Sequence, residues 1–425
     1  MGIKLGMLGL GQFGRNFVKL FKAHPLVDKI VLCDCEESKL KDFTEDPFMQ
    51  DKLSVSECCT SLDELVKKDV EAIVVITQPW LHAPQCLQVL NSGKHVYSAV
   101  PLISLPDDDE VLDWCHKLVE AVKRTGCQYM LGETTIYRPQ TMFCRRKAAA
   151  GEFGEFVYAE GEYVHDVDGN LNGWSNLRNV VKARTTGKIG EQYGAVMAPY
   201  IAKGAKHNPM SYPTHSVSGP IHVMNTRAVK VSAYGVPNTN NDSFFAMDDF
   251  SDVFALFQLA NGTSLRIAEC REIGATSFDR EESEIFRIFG KMGSFSRNVW
   301  QSNHRTVPGT AQPIMENVPN PADKVWPWAG FKEMTPAEMR DPLPPEVQAA
   351  FKPVCNPNAT AKDDFQPTGH GGSHPYLVHE FVASVAEGRE PEIPAREAAH
   401  FMAMGAAAHK SAQRDGELVK VEQFD

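Results

Sequence analysis

The chain has 425 residues and a mass of 47.1 kDa, which is room for two or three domains at roughly 150 residues each. With 43% hydrophobic and 23% charged residues it has the balance of a soluble protein with a sizeable core. Its 43 basic against 54 acidic residues give a formal charge of −11, which argues against a nucleic-acid or anionic membrane surface as the main partner.

No apolar run approaches the roughly 18 residues of a membrane-spanning helix, and the start of the chain is studded with glycines where a leader would carry basic residues. A cytoplasmic protein is therefore expected. Residues Ile3 to Leu8 form a short apolar run ending in glycines, followed by an amphipathic stretch with Phe13, Phe17, Leu20 and Phe21 on one helical face. Lys29 to Cys33, Glu71 to Ile76, Lys94 to Ser98 and Cys127 to Leu131 read as further strands. Between them lie helical segments, one from Ala83 to Leu90 and one opened by Pro106 and four acids. Such alternation predicts a doubly wound parallel sheet, an α/β Rossmann domain over residues 1–133.

Gly9-Leu-Gly11-Gln-Phe-Gly14 follows the first strand and opens the first helix. Its first glycine permits the tight turn, the second lets a pyrophosphate approach the backbone, and the third lets the helix pack on the sheet. Asp34 ends the second strand, where an acid hydrogen-bonds an adenosine ribose hydroxyl and repels a 2′-phosphate. NAD is the cofactor these residues predict, bound by Gly9, Gly11, Gln12, Phe13, Gly14 and Asp34. Thr77, Gln78, Pro79, Trp80 and His82 follow the next strand at the carboxyl edge where such ligands bind. Trp80 either covers the cofactor or packs there.

After Leu131 the pattern changes to strands joined by hairpins: 154–164, 228–235, a hairpin across Asn261-Gly262 from 252 to 270, and 285–295. Residues 134–425 thus read as an α+β domain built on a large open antiparallel sheet. Thirteen of the 27 prolines lie from Pro308 to Pro375, a stretch with few periodic segments that reads as an ordered excursion over the surface, a lid or a subunit contact. Helices are expected over 375–386 and 395–413. The ten cysteines have no second pair at zinc-like spacing and read as reduced thiols.

The chain resembles the Gfo/Idh/MocA oxidoreductase family in its glycine motif, in Thr77-Gln-Pro-Trp-Leu-His82, in Gly93-Lys-His-Val-Tyr97 and in Gly151-Glu-Phe-Gly154-Glu. The resemblance implies a nicotinamide dinucleotide in the first domain, a sugar or polyol against the sheet of the second, and assembly into a homo-oligomer. Family dehydrogenases carry Glu-Lys-Pro after the strand that precedes Ala99-Val100-Pro101; here Val100 replaces the lysine. Tyr212-Pro-Thr-His215, Tyr163-Val-His165-Asp166, Tyr137-Arg138 and Gly369-His-Gly-Gly372 are similar to the NAD-dependent α-N-acetylgalactosaminidase branch, glycoside hydrolase family 109, which shares the Val-Pro. Ser216 and Ser373-His374 depart from that branch. The resemblance makes His215 the catalytic histidine, an acid/base group suited to taking a hydroxyl proton as hydride leaves. Tyr212 is its partner or a packing residue. Tyr137, Arg138, Tyr163, His165, Asp166, His370 and His374 become candidate sugar contacts, with loop bracing as the other reading of the last two. A metal site has no supporting spacing. Three functions follow: hydride transfer at a ring hydroxyl, glycoside cleavage with recycled NAD, and NAD sensing without catalysis.

Overall fold

The computed structural model describes residues 2–168, 177–239, 241–273, 285–302, 333–360 and 362–424. Strands β1 (Ile3–Leu8), β2 (Val27–Cys33), β3 (Ala72–Val75), β4 (His95–Ser98) and β5 (Tyr129–Leu131) form a parallel sheet in the order β2-β1-β3-β4-β5. Their apolar runs are continuous because helices cover both faces, and Leu5, Val31, Ile73 and Val74 are fully buried. Helix Asp108–Thr125 starts on an Asp107 cap that accepts the Asp109 and Glu110 amides, and ends on left-handed Gly126.

The second sheet has eight strands: β6 (Phe156–Val164), β7 (Ala228–Pro237), β8 (Phe250–Leu259), β9 (Ser264–Cys270), β10 (Phe286–Gly290), β11 (Gly293–Ser296), β12 (Val299–Ser302) and β13 (Val419–Lys420). It is mostly antiparallel, but its central pair β6–β9 runs parallel. Helix Thr214–Met224 lies on its inner face so closely that a Cβ on Gly161 of β6 would stand 2.0 Å from the Ser216 carbonyl oxygen. Tyr234, Val236, Phe254 and Leu256 stand exposed on β7 and β8.

Helix Ala395–Gln413 is buried nearly all round, wedged between β7 and helix Asp108–Thr125. Its His409 bridges Asp108 (2.8 Å) and Asp249 (3.2 Å); burial works against the cation, but these two carboxylates win and raise the imidazole to about 9. Helix His374–Glu387 packs Phe381 on Phe21 and Tyr97 of the first sheet's layer.

The proline-rich stretch departs from its expectation in the part the structure describes. Helix Pro345–Cys355 buries Val347 and Phe351 on the first helix, Arg15–Ala23, with Phe351 beside the His24 ring. Pro345 sits in its first turn, where it costs no hydrogen bond, so the prolines mark a helix start and the segment joins the core. Trp326 and Trp328 lie outside the described residues.

Candidate active site

The glycine loop has the geometry its residue types demand. Gly9 has φ +96°, and a Cβ there would stand 2.1 Å from the Ile76 carbonyl oxygen; a Cβ on Gly14 would stand 2.1 Å from that of Gly9. At Gly11 a Cβ would meet nothing within 4 Å, so this backbone is open to an approaching ligand. The Asp34 carboxylate accepts the amides of Leu10 (2.7 Å) and Glu36 (2.9 Å), tying the loop to the end of β2. Gln12 is exposed and Phe13 half-buried on the same turn. Nearby, the Gln78 amide oxygen and the Trp80 indole N–H are buried and have no hydrogen-bond partner among the described residues. Orphaned polar atoms of this kind fit a dinucleotide with its own donors and acceptors along this edge.

Two residues of the 77–82 segment have structural duties. Trp80 packs edge-on against Tyr193 of helix Gly187–Lys203, ring centres 4.9 Å apart. His82 is fully enclosed, with Nδ1 2.8 Å from the Pro101 carbonyl and Nε2 3.4 Å from that of Thr77. Burial lowers it to about 4, so the imidazole is neutral and its single N–H serves the nearer carbonyl, that of Pro101 after β4. Thr77 hydrogen-bonds Gln85, and Ser104 N–H reaches the Pro79 carbonyl.

His215 occupies the first turn of helix Thr214–Met224. Its Nδ1 lies 2.8 Å from Oε1 of Glu133, which follows β5; both are buried, and the same oxygen accepts the Thr135 amide at 2.8 Å. Burial pushes the Glu133 carboxyl up, but the charge and hydrogen bond of His215 with the Thr135 amide hold it below its ordinary value. A buried, ionised carboxylate on one ring nitrogen orients the imidazole and stabilises its protonated form. Tyr163 packs edge-on to His215 at 4.9 Å and holds His165 Nδ1 with its hydroxyl at 2.7 Å. The Tyr212 ring is 5.4 Å from His215, and its hydroxyl donates to the Val100 carbonyl at 3.0 Å, tying it to the loop after β4. Beneath them, Glu269 accepts Arg271 Nη2 at 2.8 Å and the Ser216 hydroxyl, while the Arg271 guanidinium sits 4.7 Å from the Tyr163 ring centre. Burial raises the Glu269 carboxyl to about 7.

Several expected sugar contacts lie elsewhere. His370 and His374 meet at 2.9 Å and stand edge-on to Phe13 of the glycine loop, at 5.6 and 5.7 Å. A Cβ on Gly371 would be 3.6 Å from the Arg138 side chain, so Arg138 joins this group. Gly369 to Gly372 all have positive φ, which turns the chain sharply onto the first domain. These three residues therefore gather beside Phe13 of the glycine loop. Tyr137 is buried, and burial raises its phenol well above the ordinary value. Asp166 caps a turn, accepting the amides of Asp168 (2.8 Å) and Ile273 (3.3 Å). Glu133, Glu269 and Arg271 went unread in the sequence. Glu133 had a signal, a carboxylate directly after a parallel strand at the ligand-binding edge. Among the described residues no group of His, Cys, Asp and Glu is arranged to hold a metal ion, and no helix is long and apolar enough to cross a membrane.

The chain thus joins a parallel sheet with an open glycine loop to a mostly antiparallel sheet whose flanking helix carries the histidine of a histidine–carboxylate pair. Residues 3–133 match the model of the Gfo/Idh/MocA oxidoreductase family, described as an oxidoreductase family with an NAD-binding Rossmann fold. Similar curated proteins include glycosyl hydrolase family 109 protein 1 of Shewanella sp. (strain ANA-3), 27% identical over 169 residues. The α-N-acetylgalactosaminidase of Shewanella oneidensis is 26% identical over 170 residues. Each match covers 39% of this chain and 36% of the relative, little more than a third of its length. The fold extends over the whole chain: a levoglucosan dehydrogenase solved with NADH and levoglucosan matches with TM-score 0.67 and 16% identity, covering 100% of both chains. An NAD-binding oxidoreductase from Klebsiella pneumoniae gives 0.69 at 15%, again covering 100% of both. The scyllo-inositol dehydrogenase of Lactobacillus casei with NAD(H) and scyllo-inositol gives 0.61 at 15%, covering 99% of both.

On the expectation that Asp34 is the ribose acceptor and repels a 2′-phosphate, Asp34→Asn should weaken NAD binding by about tenfold and narrow the preference over NADP. Titrating both cofactors checks this; an unchanged NAD to NADP ratio refutes it.

Proposed function

We propose that this protein is an NAD-dependent enzyme that removes hydride from a ring hydroxyl of a sugar or glycoside, with His215 as the base. The observation that carries the reading is the buried Glu133–His215 pair at the edge of the cleft, 2.8 Å apart. When bound, NAD supplies the hydride acceptor. His215 takes the hydroxyl proton, Glu133 balances the imidazolium that results, and Tyr212 and Tyr163 wall the site and offer phenols to sugar oxygens. The cofactor side is held by the Gly9–Gly14 loop, Asp34 and the 77–80 segment, with Val100 at the seam. The exposed apolar face of β7 and β8 is the surface on which a homo-oligomer would form.

A second reading, glycoside cleavage in which the sugar is oxidised, loses its aglycone, gains water and is reduced again, is favoured by Val100. No lysine stands at that position, and the curated relatives are named glycosyl hydrolase family 109. Incubation with aryl glycosides, first without added cofactor and then with NAD, separates the two: aglycone release without net NADH in the first supports cleavage, and stoichiometric NADH in the second supports net oxidation. His215→Ala should cut either activity by roughly 10²–10⁴-fold. Because that change strands the buried Glu133 charge, the His215→Ala/Glu133→Gln double variant accompanies it. Full turnover in both variants would remove His215 from the chemistry.

A further inference from the structure

The parallel pair β6–β9 gathers four side chains on one face of the second sheet. Its register sets Tyr163 opposite Glu269, and side chains two residues apart along a strand share a face. The ladder runs on past both strand ends, with the His165 amide on the Cys270 carbonyl and the Val167 amide on that of Arg271, each at 2.9 Å. His165 and Arg271 therefore join Tyr163 and Glu269 on the face that helix Thr214–Met224 covers. The Arg271 guanidinium is engaged within this group. Its Nη2 donates to Glu269 at 2.8 Å, and its Nη1 donates to the carbonyls of Cys270 (3.1 Å) and Tyr163 (3.3 Å). The other Glu269 oxygen accepts the hydroxyl of Ser216, the neighbour of His215. A buried ion pair is weak evidence for stability, because an apolar pair packs as well without the desolvation cost. The consequence of this one falls on Tyr163, whose ring centre lies 4.7 Å from the guanidinium. A cation against an aromatic face is drawn to the ring electrons and supports negative charge gathering on the phenol oxygen. That oxygen stands 2.7 Å from His165 Nδ1. A hydroxyl that donates to a ring nitrogen becomes a better acceptor on its own lone pairs.

We propose that Arg271 is a positioning residue that acts through Tyr163: with the guanidinium on the ring, the phenol donates to His165 and turns its oxygen to accept the hydrogen of a sugar hydroxyl beside the one that His215 deprotonates. Ser216 and Glu269 hold the guanidinium in place. The proposal rests on the sugar reading given above and narrows the substrate to one with a free hydroxyl next to the oxidised carbon.

Two arms test it on the full-length, NAD-loaded protein. The first needs no turnover. In protein isotopically labelled at its histidine nitrogens, the His165 Nδ1 resonance is identified by its loss in His165→Gln. It should shift in the Arg271→Met/Glu269→Gln variant as it does in Tyr163→Phe, and Arg271→Lys should return it part of the way. The paired substitution removes both buried charges together, so neither is stranded; an unchanged NAD affinity shows that the fold is kept. Ser216→Ala, which keeps both charges, should shift the resonance in the same sense by less. The second arm measures turnover of levoglucosan, scyllo-inositol and an aryl N-acetylgalactosaminide. The paired variant should lose about tenfold in kcat/KM against the parent and almost nothing against Tyr163→Phe, because the phenol that carries the effect is already gone. The proposal is overturned if the His165 resonance stays in place in the paired variant, or if the tenfold loss persists in the Tyr163→Phe background. A protein that turns over none of the three probes counts against the hydride-transfer reading, while the resonance of His165 still decides the role of Arg271.

Discussion

Glu133→Gln lowers kcat/KM by roughly 10²–10³-fold while NAD still binds and the fold persists; this is the largest single-site effect expected outside His215 itself. Glutamine keeps the volume and can still accept the Thr135 amide, but it carries no charge to balance an imidazolium and can present its amide hydrogens to Nδ1. The carboxylate it replaces is fully buried and touches the ring at 2.8 Å, so water cannot substitute for it. The acid limb of the pH–rate profile should also move to lower pH, since protonated His215 loses its counter-charge. Steady-state kinetics across pH, with NAD titration as the control, decide the matter. A variant as active as the parent would mean that Glu133 serves folding alone.

Acidification gives the largest stability effect. Burial lowers His24 to about 3, with His379 and Lys52 adding to the effect. His82, His207 and His400 are each lowered to about 4, again chiefly by burial. In the unfolded chain these residues protonate near pH 6.5, so between pH 6 and 5 unfolding takes up about four protons that the native state refuses. Asp248 and Glu269 work the other way: burial raises each to about 7, so the native state keeps two protons that the unfolded chain has released. The histidines win by about two protons, and stability should fall by roughly 3 kcal/mol for each pH unit of acidification in this window. His409, raised to about 9, contributes stability that is whole below pH 6.5 and is lost as pH climbs through 9. A stability maximum near neutrality follows. Melting temperatures measured from pH 5 to 10 check it, and a protein that melts no lower at pH 5 than at pH 6.5 contradicts the balance of protons.

Most of the first sheet was legible in the sequence. The glycine loop and Asp34 were readable because each residue answers one conformational demand: positive φ at Gly9, close contact at Gly14, open space at Gly11. The β8–β9 hairpin was equally plain, with Asn261-Gly262 between two alternating strands and Gly262 at φ +87°. Helix Thr214–Met224 was not. It is buried on every side, so it has no polar stripe, and Pro220 interrupts its pattern. Glu133 and His215 meet across 82 positions of sequence, a pairing that local patterns cannot reveal. His370 and His374 sit in a recognisable glycine turn, but nothing in the turn tells which domain it faces. The fold decides that by packing Phe13 and Phe17 against them.

The helices that end the chain impose an order on its synthesis. Leu131 donates its amide to the Ile393 carbonyl at 3.0 Å, Phe381 covers Phe21 and Tyr97, and His409 reaches Asp108. The first sheet is therefore finished by residues made some 250 to 280 positions after its last strand. At roughly 5–20 residues per second, a ribosome leaves that apolar flank uncovered for about 15 to 55 s. A nascent chain of which about the first 140 residues have emerged carries every strand of the nucleotide-binding sheet yet exposes the surface that its later helices will close, and it is in that interval that a chaperone has something to hold.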